Sequence, residues 1–343
     1  MKKLLNTLFV LSEDSYLSLD GENVLILRDG QEPSRFPLHT LENILCFSYK
    51  GASPSFMGAC ASRNVSLCFL TPTGRFLARV TGETRGNVLL RKEQYRRSND
   101  PRQSCCLARC FVAGKVYNCR SVLERATRDH ALRVDVPALK HASSQLASAL
   151  SDISVCAEPE RLLGLEGECA LRYFSIFDQL ILQNKQDFFF HERSRRPPLD
   201  RMNALLSFLY TLLSHDCASA LEAVGLDPYV GFLHRDKPGR TSLALDLMEE
   251  LRPVLADRLA LTLVNNRLVQ AKHFEEQENG AVLLNENGRK AVLSAWQDRK
   301  REVIGHPFLE EKVSWGMIPY VQALLLARHL REDLDAYPPF LWK

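Results

Sequence analysis

One segment of the sequence, residues 231–250, places an imidazole close to several carboxylates. His234 ends a short apolar run, and a Lys-Pro-Gly turn separates it from a helix that begins near Ser242. Within this helix Asp246 and Glu249 are three residues apart and share a face. Carboxylates this close repel one another unless a cation neutralises them. The segment therefore predicts a site for a metal ion.

Helical spacing leaves one ambiguity in this site. Glu249 and Glu250 follow Asp246 by three and four residues, so either glutamate can lie on its face of the helix. No cysteine pair accompanies His234, which favours Mg²⁺ or Mn²⁺ over structural zinc. The alternative is a solvated acidic helix face that binds no metal.

A further candidate ligand lies earlier in the chain. Glu166 sits between Gly164 and Gly167, at the start of a strongly helical run, where small neighbours leave its carboxylate uncrowded. The alternative is an acid near a helix N-terminus, where the helix dipole favours negative charge. Glu166 alone therefore does not establish a site.

The distribution of basic residues indicates an anionic partner, although the net charge is only +3. Residues 91–133 contain eleven Lys or Arg against four acids, a local excess that can neutralise DNA phosphates. An exposed helix flank of no special purpose is the alternative. A second basic group precedes a helix predicted to begin near Leu199, and it is placed to position a phosphodiester: Arg193, Arg195, Arg196 and Arg201.

Several motifs of the sequence occur together in one order. They are Gly-x-Glu-Gly at 164–167, Arg-Arg-Pro-Pro-x-Asp-x-x-Asn-Ala-Leu-Leu-Ser at 195–207, Gly-Phe-Leu-His at 231–234 and Ser-Leu-x-x-Asp-Leu-Met-Glu at 242–249. In this order and spacing the chain resembles the CRISPR adaptation integrase family from end to end. The joint occurrence is specific, whereas each motif alone is a weak signal.

The resemblance implies an activity and a set of site residues. Glu166, His234 and Glu249 are the expected metal ligands for Mg²⁺ or Mn²⁺, with Asp246 as a further catalytic acid beside them. The expected reaction is transesterification, in which the 3′-hydroxyl of a captured DNA fragment attacks a phosphodiester at the edge of the repeat array. The resemblance further implies a homodimer formed through the β domain and a small ferredoxin-like second adaptation protein as partner.

The predicted fold class is α+β, with an N-terminal β-rich domain followed by a larger all-α catalytic domain. Strand patterns fill the first ninety residues and helical periodicity follows, which gives a β domain at 1–88, a connecting helix at 89–104 and a helical domain at 105–343. Residues 273–288, with an Asn-Gly near each end, predict a short hairpin.

The composition favours a cytoplasmic protein without a membrane partner. Ten cysteines are scattered without the paired spacing of a zinc site or a disulfide framework, which is typical of reduced thiols. No run of about 18 apolar residues occurs, so no transmembrane helix is expected.

Two other functions remain compatible with the sequence. A structure-specific nuclease acting on branched or single-stranded DNA in repair would need the same metal ligands and the same basic surface. A DNA-binding scaffold without catalytic activity is the second alternative. The intact set Glu166, His234, Asp246 and Glu249 argues against the scaffold, because an unused site should lose at least one of the four residues.

Overall fold

The computed structural model describes residues 7–41, 43–63, 65–71, 76–80, 82 and 88–342. Over these residues the chain is α+β, with a strand-rich N-terminal region followed by a long helical region, which confirms the predicted fold class. The strands are β1 Thr7–Val10, β2 Tyr16–Asp20, β3 Asn23–Leu27, β4 Ser34–Pro37, β5 Asn43–Cys46, β6 Ser66–Leu70, β7 Phe76–Val80, β8 Phe274–Glu276, β9 Val282–Leu284, β10 Val303–Gly305 and β11 Lys312–Ser314. The helices are α1 Pro54–Ser62, α2 Val88–Asn99, α3 Pro101–Asp129, α4 Val136–Val155, α5 Pro159–Ser175, α6 Arg201–Val224, α7 Ser242–Glu249, α8 Arg258–Asn265, α9 Glu286–Arg301 and α10 Ile318–Leu330.

The N-terminal region contains two sheets. One has the order β1-β5-β6-β7, in which the first two pairs are parallel and the last is antiparallel. The other is an antiparallel sheet of β2, β3 and β4. Alternating patterns at 65–70 and 75–80 predict a hairpin, which the antiparallel pair of β6 and β7 confirms, whereas β4 was not predicted. The turn predicted at 71–75 lies mostly outside the described residues, as do residues 5 and 6 of a first strand predicted at 5–11.

The first sheet is buried on both faces, because successive side chains of a strand point to opposite sides. On β5, Ile44 and Cys46 face a small N-terminal core, while Leu45 belongs to the core of the helical region. On β6, Leu67 faces the small N-terminal core and Cys68 faces the core of the helical region. The helices therefore pack directly on the sheet.

The connection between the two regions is helical. Helix α2 ends at Asn99, and Asp100 caps α3 by accepting hydrogen bonds from the next two backbone N–H groups, with Pro101 at the first helical position. The residues Asn-Asp-Pro at 99–101 predict a break between helices from the sequence, and the structure confirms it. The domain bounds at 88 and 104 stay a prediction.

Two long helices organise the helical region. Helix α3, with 29 residues, contacts α4, α5 and α7. Helix α6 begins at Arg201, two residues after the predicted start, and packs on α7 and α10. By length and composition α6 is apolar enough to cross a membrane, with mean hydropathy 1.2. However, 61% of its apolar window is buried inside the protein, so its place in the core accounts for that composition.

The C-terminal part contains two short antiparallel hairpins. The pair β8 and β9 confirms the hairpin predicted within 273–288, although residues 286–288 already belong to α9. The pair β10 and β11 was not predicted. Beyond α10 the tail folds back on the protein, and its Tyr337 and Phe340 are buried. All ten cysteines are free thiols.

Candidate active site

The four predicted site residues come from three elements that meet at one place. Glu166 lies on α5, His234 in the loop before α7, and Asp246 and Glu249 on α7. His234 Nδ1 is 2.7 Å from Asp246 Oδ1, and His234 Nε2 is 3.9 Å from Glu249 Oε1. The ammonium group of Lys115 on α3 joins Glu166 to Glu249. The predicted position of Glu166 at a helix start is wrong, because α5 begins seven residues earlier.

Asp246 organises the loop that carries the histidine. Its Oδ2 accepts hydrogen bonds from the backbone N–H groups of Phe232 and Leu233, at 2.6 and 2.9 Å. Its Oδ1 accepts from the backbone N–H and from Nδ1 of His234. A Cβ at Gly231 would lie 2.9 Å from Asp246 Oδ2, so the loop needs glycine to approach this closely. The bond to Nδ1 leaves His234 Nε2 as the lone-pair nitrogen that faces Glu249.

Lys115 is a buried cation between two carboxylates. Its ammonium bonds the Glu166 carboxylate and lies 2.7 Å from Glu249 Oε2, while its side chain is only 9% exposed. Burial lowers the pKa of Lys115, but the charges of Glu249 and Glu166 outweigh this and raise it above the ordinary value. Arg252 adds a second positive charge, with Nη1 2.8 Å from Glu249 Oε1. This point in the protein therefore favours a cation.

The structure resolves the choice between the two neighbouring glutamates. Burial raises the pKa of Glu249, yet Arg252 and Lys115 hold it below its usual range, so Glu249 faces the site as a carboxylate. Glu250 points away and accepts hydrogen bonds from Tyr337 Oη at 2.5 Å, Gln322 Nε2 at 3.0 Å and the Phe340 backbone N–H at 2.8 Å. Glu250 therefore anchors the C-terminal tail.

The residues gathered here have the donor chemistry that Mg²⁺ and Mn²⁺ use. Two carboxylates contact the positive charge of Lys115, and an imidazole nitrogen, His234 Nε2, lies 3.9 Å from one of them. Among the residues that the structure describes, no three His, Cys, Asp or Glu side chains are close enough together to hold an ion as they stand. The ammonium of Lys115 stands between Glu166 and Glu249 and keeps their two carboxylates apart.

The four arginines predicted to bind DNA differ in their surroundings. Arg193 is held inside the protein, where its guanidinium donates to Asn203 Oδ1 at 2.6 Å and lies 5.3 Å from the centre of the Tyr210 ring. Arg201 donates to the backbone carbonyl of Asp187 at 2.8 Å. Arg195 and Arg196 are exposed. A small cavity beside Lys115 is lined by Arg193, Arg195, Arg252, Tyr173 and Tyr210.

The basic segment at 91–133 does not form one exposed surface. Lys115 is buried in the site, and Arg97 is paired with Glu93 at 2.6 Å. Lys115 is one of the basic residues predicted to neutralise DNA phosphates, and Arg252 was not predicted as a site residue. The position of Arg252 three residues after Glu249 was a usable signal, because such residues are neighbours on a helical turn. Nothing local connects Lys115 to Glu166, which is 51 residues away.

Comparisons with known proteins agree with the motifs. The sequence profile of the family described as CRISPR associated protein Cas1 matches residues 8–298. A relative from Rhodospirillum rubrum, named CRISPR-associated endonuclease Cas1 2, is 54% identical over 349 residues and covers 100% of both chains.

Two solved structures show the same fold. A casposase bound to integration product superposes with a TM-score of 0.84 at 21% identity, covering 98% of this chain and 94% of that one. A Cas6-RT-Cas1–Cas2 complex gives a TM-score of 0.82 at 20% identity, covering 100% of this chain and 36% of that one. With the profile match and the full-length relative, these findings place this chain in the CRISPR associated protein Cas1 family.

Proposed function

We propose that this chain is a metal-dependent DNA integrase and endonuclease of CRISPR adaptation. It joins the 3′-hydroxyl ends of captured DNA fragments to the repeat array by transesterification. The observation that carries the proposal is that the buried ammonium of Lys115 joins Glu166 to Glu249, while His234 Nε2 lies 3.9 Å from Glu249 Oε1. Membership of the Cas1 family and a full-length relative named as an endonuclease support it.

Glu166, His234 and Glu249 would hold Mg²⁺ or Mn²⁺ in this proposal. A divalent ion at this place supplies Lewis acidity, which aligns the attacking hydroxyl and offsets charge on the phosphoryl oxygens. Asp246 acts as a positioning residue, because it fixes the ring of His234 and the loop that carries it. Arg252 remains beside Glu249 as a fixed positive charge close to the reacting phosphate.

Lys115 has a separate part in the proposal. In the structure its ammonium neutralises two buried carboxylates that would otherwise repel each other. A divalent cation held by Glu166 and Glu249 would take over this neutralising role, and the ammonium of Lys115 would have to leave the space between them. Its flexible stem allows the ammonium to remain near the site and to contact a DNA phosphate.

The proposed substrate and partners follow from the family. Duplex DNA fragments and the repeat array are the substrates, and exposed Arg195 and Arg196 are placed to contact their phosphates. We propose a homodimer through the N-terminal region and a complex with a small ferredoxin-like second adaptation protein. A solved Cas6-RT-Cas1–Cas2 complex contains a chain of this fold, which supports the second partner. Ten free thiols support a cytoplasmic location.

A plasmid-joining assay tests the proposed function. Supercoiled plasmid carrying a repeat array is incubated with a labelled fragment, Mn²⁺ and the small partner protein. Wild type is compared with Glu166→Gln and His234→Ala, and with Glu168→Gln, which changes an exposed acid on the same helix. A fragment ending in a 3′-dideoxynucleotide lacks the attacking hydroxyl and serves as the substrate control.

We expect covalent joining that requires Glu166, His234, metal and the 3′-hydroxyl, and that Glu168→Gln retains. Cutting of the plasmid without joining, even with the partner present, would establish the repair nuclease instead. Undiminished joining by Glu166→Gln would show that the reaction occurs elsewhere. Metal-independent DNA binding as the only activity of the wild type would establish a non-catalytic scaffold.

A further inference from the structure

Arginines from different helices meet an indole of the C-terminal tail, away from the carboxylate site. The guanidinium carbons of Arg125 on α3 and Arg258 at the start of α8 lie 5.2 and 4.2 Å from the centre of the Trp342 ring. Arg299 on α9 lies 4.9 Å from the centre of the neighbouring Trp315 ring. The proposed reaction uses none of these residues, so the cluster needs its own explanation.

The backbone of Trp342 is held by hydrogen bonds to α3. The Trp342 backbone N–H donates to Asn118 Oδ1 at 2.8 Å, and its carbonyl accepts from Ser121 Oγ at 3.1 Å. Phe340, two residues earlier, is completely buried and anchors the tail. The tail is therefore attached to α3 at the residue whose ring lies beside Arg125 and Arg258.

The cluster carries more positive charge than its carboxylates neutralise. Asp129 is 3.0 Å from Arg125 Nε, and Glu302 is 2.5 Å from Arg299 Nη1. No ion pair joins the Arg258 guanidinium to a carboxylate within the described part of the chain. Burial, together with the nearby charges of Arg299 and Arg125, lowers the pKa of Arg258 to about 10. An external anion bound here would reduce the repulsion between these guanidinium groups.

A phosphodiester has the chemistry that this cluster fits. Guanidinium groups bind phosphate oxygens through paired N–H donors, and the Trp342 ring lies beside both of these arginines. Helix α3 carries both Lys115 and Arg125, and ten residues of helix span about 15 Å. This distance corresponds to roughly four base pairs along a DNA duplex.

We propose that Arg125, Arg258 and Trp342 form a second phosphate-binding site for the DNA that enters the candidate active site. The inference rests on the proposed function, since it assumes DNA as the substrate. The second site holds the backbone a few base pairs from the reacting phosphodiester and so fixes the direction in which the duplex leaves. It contributes to affinity and to alignment of the DNA, without reading its sequence.

The test measures binding of a fluorescent DNA duplex by the full chain over a range of salt concentrations, without added metal. Arg125→Gln, Arg258→Gln and Trp342→Ala are compared with Arg301→Gln, which removes an exposed arginine from α9. We expect each arginine variant of the cluster to weaken binding about three- to tenfold. Each also lowers the slope of log affinity against log salt by about one, because one phosphate contact is lost. Arg301→Gln is expected to keep the wild-type slope.

Thermal unfolding separates this site from a purely structural contact. Arg125 has a 43% exposed side chain, so Arg125→Gln is expected to fold normally and keeps the test decisive if Arg258→Gln unfolds. Wild-type affinity and slope in both arginine variants, with a lowered unfolding temperature, would reduce the cluster to an anchor for the tail.

Two further outcomes separate the possible causes of failure. If the cluster variants lose binding to the small partner protein but keep wild-type DNA binding, the cluster is a protein-docking surface and the proposal is overturned. If the wild type binds no DNA, both the proposed function and this inference fail. If the wild type and all variants bind DNA alike, only this inference fails.

Discussion

Replacing Lys115 with methionine tests whether its ammonium occupies the position of the cation. Methionine keeps much of the length of the side chain but removes the charge between Glu166 and Glu249. In metal-free protein the two carboxylates then face each other, with Arg252 alone beside Glu249. We expect the variant to be unstable without metal and to recover when Mn²⁺ is added.

The size of the effect follows from burial of the three side chains. Removing one partner of a buried ion pair costs about 3–5 kcal/mol. The Glu249 side chain is 3% exposed and the Glu166 side chain is 22% exposed, so Glu166 retains some hydration and the lower end, about 3 kcal/mol, applies. For a chain of 343 residues, with an unfolding entropy of about 2.1 cal/mol/K per residue, that corresponds to a fall of roughly 4 °C in unfolding temperature.

Metal should restore most of this loss in the variant. At a concentration one hundred times its dissociation constant, a bound ion adds about 2.7 kcal/mol to the free energy of unfolding. The wild type gains less, because the ion must first displace the ammonium of Lys115 and break its ion pairs. The variant is therefore also expected to bind Mn²⁺ more tightly.

The assay is thermal unfolding with a chelator and with increasing Mn²⁺, together with calorimetric measurement of Mn²⁺ binding. Lys140→Met is the control, because Lys140 pairs with Glu124 at the surface, where its side chain is 54% exposed. Loss of this surface ion pair should lower the free energy of unfolding by about 1 kcal/mol or less, with or without metal. Equal stabilisation of the wild type and Lys115→Met by Mn²⁺, or weaker binding to the variant, would refute the reasoning.

Three further substitutions test the packing and charge around the site. Asp246→Asn removes a carboxylate that accepts four hydrogen bonds. We expect the variant to lose DNA joining and its free energy of unfolding, measured by denaturant titration, to fall by about 2 kcal/mol. Wild-type joining activity would contradict this. Gly114→Ala places a Cβ 2.8 Å from Glu250 Cβ, so we expect the free energy of unfolding to fall by about 1–3 kcal/mol. Gly164→Ala meets nothing within 4 Å and should raise the free energy of unfolding by about 0.5–1 kcal/mol, because alanine favours a helix more than glycine does. Equal effects of the two substitutions would contradict the packing argument. Burial raises the pKa of Glu250 from 4.5 to about 7, so folded protein keeps a proton that the unfolded chain releases. The stability of the wild type should therefore fall as pH rises from about 4.5 to 7, and the stability of Glu250→Gln should fall less over the same range. Parallel curves of unfolding temperature against pH for the two proteins would exclude this.

Most of the secondary structure could be predicted from local patterns. The strands of the N-terminal region, the hairpin formed by β8 and β9 and the long helices follow from hydrophobic periodicity and turn residues. Short elements were missed where the pattern is weak. Strand β4 is largely exposed, and the hairpin of β10 and β11 has three residues in each strand. The start of α5 was misplaced because Pro159, its first residue, lies before the apolar repeat becomes regular.

The sequence by itself determined which residues gather in the candidate site and which fold class carries them. The joint motifs and the family resemblance that they carry predicted Glu166, His234 and the acids of α7, because the order and spacing of motifs can be read without knowing any contact. Helical spacing left Glu249 and Glu250 equivalent and the family resemblance favoured Glu249, but only the tertiary structure decided that Glu250 turns away to bind the tail. It also decided that Lys115 is buried between carboxylates, because contacts between α3, α5 and α7 depend on packing that no local pattern records.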